Sequence, residues 1–232
     1  MPDQSRFQPA APPDGNRSAD PTRAEGFADL LGLLAMGALL AFDRIAADAR
    51  LAPDLARRAA LSEMAAAEVE VYRRLAGQLE ALGVEPEAVM APYLPALEAY
   101  HARTVPTDWW EALTKAYVGN GIADDFHRVA AGRLDPAGRD AVLSALHASA
   151  YQQYAAVEIR TAIDGSPELG SRLSMWARRL VGEGLSQAQS VAAGQPALAR
   201  LVLDGDPTRL VELHRRLVAR HSDRMAAVGL SN

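Results

Sequence analysis

No cysteine occurs anywhere in the chain. Disulfide scaffolds, thiolate metal sites and cysteine nucleophiles are therefore excluded, and the absence fits a cytoplasmic location. Aromatic residues reach only 6%, and β-branched residues are sparse, so little in the composition favours strands. No basic start followed by an apolar run marks the N-terminus as a secretion signal. The most apolar stretch, residues 30–45, is bracketed by Asp29, Asp43 and Arg44. It falls short of the roughly 20 residues of a membrane span and reads as a buried core helix, so no membrane is expected. An excess of positive charge is lacking too. The formal net charge of −5 argues against a non-specific nucleic-acid binder, which carries a basic stripe. No glycine-rich phosphate loop, nucleophile elbow or Ser-His-Asp arrangement is identifiable.

What is abundant is alanine, leucine, arginine and glutamate, the best helix formers. At 232 residues, 49% of them hydrophobic, the chain can bury one sizeable core. Residues 1–23 are rich in Pro, Ser, Asp, Asn and Gly and are expected to form a disordered tail. Residues 24–232 are expected to form a single helical domain. Its helices are predicted from about Arg23 to Ala49, from Asp54 to Leu82 with Gly83 as a left-handed cap, and from Pro86 to His101 with breaks at Pro92 and Pro95. Further helices are predicted from Pro106-Thr107-Asp108 to about Arg133, with Thr107 as N-cap, from Asp135-Pro136 to about Ile163, from Ser166-Pro167 to about Ala193, and from Pro207 to Val228. Gly37-Ala38 and Gly119-Asn120, each followed by a partner helix about 30 residues on, suggest a duplicated helical hairpin.

Several stretches carry a family resemblance. They are Phe27-Ala28-Asp29-Leu30, Ala65-Ala66-Ala67-Glu68, Lys115-Ala116-Tyr117-Val118-Gly119, and Arg178-Arg179-Leu180-Val181-Gly182-Glu183 with Gln187-Ala188-Gln189. His221-Ser222-Asp223-Arg224-Met225 and Gly229-Leu230 complete the set. On these the chain resembles the actinobacterial ferritin-like proteins of the tRNA-modifying hydroxylase (MiaE-like) branch. The resemblance implies an all-α, ferritin-like four-helix bundle with additional C-terminal helices, and leaves room for a homodimer. It also implies a metal centre of six inward ligands: one carboxylate from each of two helices and a Glu-x-x-His pair from each of two others.

Carried residue by residue, that ligand pattern fails. The first carboxylate falls on Ala38, and the first Glu-x-x-His on Glu68 to Val71. The third-helix carboxylate falls on Asn120, and the second Glu-x-x-His on Ala148 to Tyr151. Only Glu68 survives, so no metal or other cofactor is expected, and diiron oxygen chemistry is not.

The replacements still define candidate site residues. Asn120, Asp124 and His127 lie at i, i+4 and i+7, one stripe of a helix. His147, Tyr151, Tyr154 and Glu158 form a second stripe. With Glu68 facing Asn120 and Tyr151, the candidate site is Glu68, Asn120, Asp124, His127 and Tyr151. A desolvated glutamate has a raised pKa and can serve as general acid or base. The expected function is a metal-free enzyme performing cyclase-, isomerase- or lyase-type acid–base chemistry on a small apolar or amphipathic molecule in the bundle, in a specialised biosynthetic pathway. Two alternatives stand beside it: a non-catalytic bundle that binds a ligand or partner, and a hydroxylase with a metal site relocated to Asp124, His127 and Glu68. Each residue also has a plain structural reading, as a satisfied core polar group or part of a solvated face. The last helix, with His214, Arg215, Arg216, Arg220, His221 and Arg224, reads as a solvated charged face or as a contact for an anionic ligand.

Overall fold

In the computed structural model, residues 21–146 and 149–231 are described. The expected tail falls almost entirely outside them, as do His147 and Ala148. Every regular element among the described residues is a helix. α1 (Pro21–Asp48) and α2 (Leu55–Ala81) pack along each other. α3 (Pro86–Met90) and α4 (Leu94–Arg103) follow, separated by a 3-10 turn through Pro92, where the prolines interrupt regular hydrogen bonding. α5 (Trp109–Ala131) is the second long axis and packs against α7 (Ser149–Asp164) and α8 (Pro167–Gly194), with α6 (Pro136–Leu143) beside it. α9 (Pro196–Leu203) lies on α1, and α10 (Arg209–Ala227) on α5.

The helix ends follow side-chain chemistry. Asp54 caps α2, Asp135 caps α6 and Ser166 caps α8, each accepting a bond from a first-turn amide. Gly83, at φ +74°, ends α2 in the left-handed conformation expected of it. α5 departs from the predicted cap. Asp108, not Thr107, accepts the Glu111 amide at 2.9 Å. The Glu111 carboxylate then accepts from both the Thr107 amide and its hydroxyl, each at 2.8 Å. Thr107 is thus satisfied by the glutamate instead of by the helix end. The single helix predicted from Asp135 to Ile163 is two helices. α6 stops at Leu143, where the Ser144 hydroxyl bonds back to the Ala141 carbonyl and competes with helical continuation. α9 is an element the periodicity did not predict.

By length and composition the segment Thr22–Leu51 could cross a membrane, and half of its most apolar window is buried inside the protein. Its apolar face is the spine of the core. That core divides into two blocks. One gathers Ile45, Leu61, Met64, Ala65, Leu113, Tyr117, Val118, Ile159, Leu180 and Met225. The other gathers Leu30, Leu31, Leu34, Leu40, Leu75, Leu79, Tyr93, Ala130 and Val142. α1, α2 and α5 run through both.

Candidate functional site

On α2 and on α5 a buried carboxylate falls, along the helix, between side chains of the two blocks. On α2, Ala65 belongs to one block and Val71 and Tyr72 pack on the other, with Glu68 between them. On α5, Ile122 packs on one block and Phe126 on the other, with Asp124 between. Glu68 is 5% exposed and Asp124 3%. Buried carboxylates at this depth are retained only where partners compensate their desolvation, and both have interaction partners. Arg128, one turn along, approaches Asp124 at 3.9 Å. Asn120 and His127 flank Asp124 on the same stripe, each half-buried. The His127 ring meets Phe126 edge-on, with centroids 5.9 Å apart. Tyr151 is half-buried near the start of α7. Its phenol is pushed above the ordinary range, first by burial and then by the negative charges of Glu63 and Glu68. Of the five candidates, Glu68 and Tyr151 therefore sit within electrostatic reach of each other, while Asp124 is buried on α5 with Asn120 and His127 half-buried on its stripe.

The dimetal centre of ferritin-like folds does not fit this donor set. The positions that would supply ligands carry Ala38, Val71, Asn120 and Tyr151, and Val71 packs into an apolar block. Among the described residues no group of three or more His, Asp or Glu side chains is arranged to hold a metal ion. Glu68, Asp124 and His127 do not form one. Hard cations need several convergent oxygen or imidazole ligands, and alanine and valine offer none.

A second buried polar group escaped the sequence reading. Lys115 is 7% exposed. Its ammonium donates to the Thr104 carbonyl at 2.7 Å and stands 5.6 Å from the Tyr100 ring centroid. Burial depresses its pKa to about 8; Asp48 opposes that shift and Arg44 adds to it. Burial lowers His101 as well, to about 3, with Lys115 and Arg44 contributing. The cluster ties α1, α4 and α5 together. A signal was available: Lys115 is the only lysine among the chain's 24 Lys and Arg residues, and it lies inside the apolar run of α5.

α10 closes the other flank of α5. The Tyr117 hydroxyl donates to the Arg224 carbonyl at 3.1 Å. The Arg224 guanidinium donates to the Gly121 carbonyl at 2.9 Å and pairs with Asp125. A Cβ at Gly121 would collide with that guanidinium unless the arginine side chain moved. His221 is 2% exposed, and neither ring nitrogen has a hydrogen-bond partner among the described residues. Burial, with Arg224 nearby, holds its pKa down at about 4.

Two clefts lie at the surface. One, of about 340 Å³, is lined by Pro92, Pro95, Gln187 and Val191 among others. The other, of about 290 Å³, runs between the end of α5 and α10. Neither is lined by Glu68, Asn120 or Tyr151.

A solved structure described as "Protein 19 with aldehyde deformylating oxidase activity from Synechococcus" shares the fold, with a TM-score of 0.69. The match covers 92% of this chain and 94% of that one at 19% identity, a likeness of fold alone. No curated protein matches the sequence. A family model described as "Ferritin-like domain, actinomycetes" matches residues 21–205. The helical architecture and that match lead to one conclusion: the chain belongs to the actinomycete ferritin-like domain family.

Proposed function

We propose that this protein is a ferritin-like bundle that acts by binding a ligand or partner at its surface, without metal-dependent oxygen chemistry in its interior. The observation that carries the reading is the occupancy of the would-be ligand layer: Ala38 and Val71 are apolar, and two clefts open at the surface, away from Glu68 and Tyr151. The finer kinship to the tRNA-modifying hydroxylase branch belongs to the same proposal, as a relative in ancestry that does not share the reaction. The test is metal retention. Full-length protein is loaded anaerobically with Fe(II) or Mn(II), desalted and analysed. Less than about a tenth of an equivalent retained, with no shift in Tm, is the expected result; tight metal binding to the fold would raise Tm by mass action. Stoichiometric retention sinks the reading.

A second reading is favoured by one observation, the buried Glu68 carboxylate whose charge reaches the Tyr151 phenol. In that reading Glu68 moves a proton on a small apolar or amphipathic molecule, with Tyr151 as hydrogen-bond donor. Glu68→Gln and Tyr151→Phe then abolish turnover of the substrate while leaving the helical spectrum intact. Unchanged turnover in both variants ends it.

A further inference from the structure

The arginines of α10 divide into two sets. Arg209 pairs with Asp204 at 2.7 Å and Asp206 at 3.7 Å, Arg215 with Glu212 at 2.7 Å, and Arg224 with Asp125. Arg216 and Arg220 have no acidic partner within 4.0 Å among the described residues. They lie at i and i+4, one above the other on the helix surface, where like charges repel. Both line the cleft of about 290 Å³, and across it stand Arg128 and Arg133 from the end of α5. Those two are only loosely compensated: Arg128 lies 3.4 Å from Asp125 and 3.9 Å from Asp124, and Arg133 3.7 Å from Asp204. Asp125 also lines the cleft, but its carboxylate is already engaged by Arg224. Four arginines thus line one concavity whose acidic neighbours are shared or distant. The cleft is mostly polar, and Val129, Gly132 and the buried Leu217 complete its lining.

We infer that this cleft is a binding site for a phosphate monoester of a small molecule. A doubly charged phosphate supplies the countercharge that Arg216 and Arg220 lack. Its oxygens also match the planar fork of a guanidinium, which binds them in bidentate fashion. The carbon portion of the ligand lies on Val129 and Leu217. The volume lies just below the usual range of small-molecule sites, roughly 300–1,000 Å³, which favours a compact ester over a polymer. The net charge of −5 disfavours an extended polyanion. The site does not depend on the bundle interior.

The test is calorimetric titration of the full-length protein with phenyl phosphate and with inorganic phosphate. Saturable binding at one site per chain is expected below about 10 mM, tighter for phenyl phosphate. In Arg216→Gln/Arg220→Gln the affinity falls at least about tenfold, while Arg73→Gln on α2 binds as the parent does. Circular dichroism and Tm confirm that the variants fold. Single-stranded RNA and anionic phospholipid vesicles are titrated in parallel. No saturation with either phosphate overturns the inference, as does equal binding by the double variant. RNA or vesicle binding tighter than that of phenyl phosphate, and lost in the double variant, also overturns it by assigning the cleft to a macromolecular surface.

Discussion

Replacing His221 with leucine tests the physics of the α5–α10 interface. The imidazole is buried with neither nitrogen hydrogen-bonded among the described residues, so it is held neutral. Its pKa of about 4 in the fold compares with an ordinary value of 6.5. Above pH 6.5 both folded and unfolded chains carry the neutral ring, and the residue adds no pH dependence. As pH falls from 6.5 toward 4, the unfolded chain takes up a proton that the fold refuses, so stability is lost across that window and levels off below it. The full shift would cost about 3 kcal/mol. By pH 4.5, just above the folded pKa, about 2 kcal/mol of it is lost. His221→Leu keeps the volume and removes both unsatisfied nitrogens, so at pH 7 it should be neutral or stabilising by about 1 kcal/mol. Its advantage should then grow by about 2 kcal/mol by pH 4.5. Urea unfolding followed by circular dichroism at a series of pH values measures the difference directly. Parallel stability–pH curves for the two proteins would refute the argument, because they would mean that His221 titrates normally in the fold.

Asp108→Ala removes the α5 cap and the 2.6 Å ion pair from Arg172. It should cost about 1 kcal/mol by denaturant titration. Gly121→Ala drives a methyl group into the Arg224 guanidinium and should break its contacts with Asp125 and the Gly121 carbonyl. A loss of about 1–3 kcal/mol is expected, with α10 amides exchanging first in hydrogen-exchange measurements. Lys115 has its folded pKa lowered to about 8. Below that value both states are protonated and stability is flat. Between about 8 and 10.5 the unfolded chain holds the extra proton, so stability rises with pH. Lys115→Met abolishes that alkaline rise, and a rise that persists in the variant would show that another group causes it.

Most of the architecture was legible because helix punctuation is chemical and local. Asp54, Gly83, Pro92 and Ser166 end or begin helices through their own side chains or backbone preferences, and the structure uses them so. Where two local options competed, sequence alone chose wrongly. Thr107 and Asp108 are both good caps, and the choice between them rests on Glu111 reaching back to Thr107. The break after Leu143 has no proline or glycine to announce it. At the candidate site, helical spacing correctly puts Asn120, Asp124 and His127 on one stripe, yet it cannot say that Asp124 is buried while its neighbours are half-exposed. The Lys115 cluster was hidden for another reason. Asp48, His101 and Lys115 come from three helices, and no periodicity within one helix links them.

The buried carboxylates also fix how the long helices may slide. α2 and α5 each carry one buried carboxylate at the boundary between two apolar blocks. Moving either helix along its axis by one turn, about 5.4 Å, would shift that carboxylate toward one of the apolar blocks and away from its partners. Leucine against leucine tolerates such a slip, whereas a desolvated charge does not. Glu68 and Asp124 therefore act as a register key. They hold one alignment of an otherwise permissive, alanine- and leucine-rich bundle, and they do so whether or not any chemistry takes place beside them.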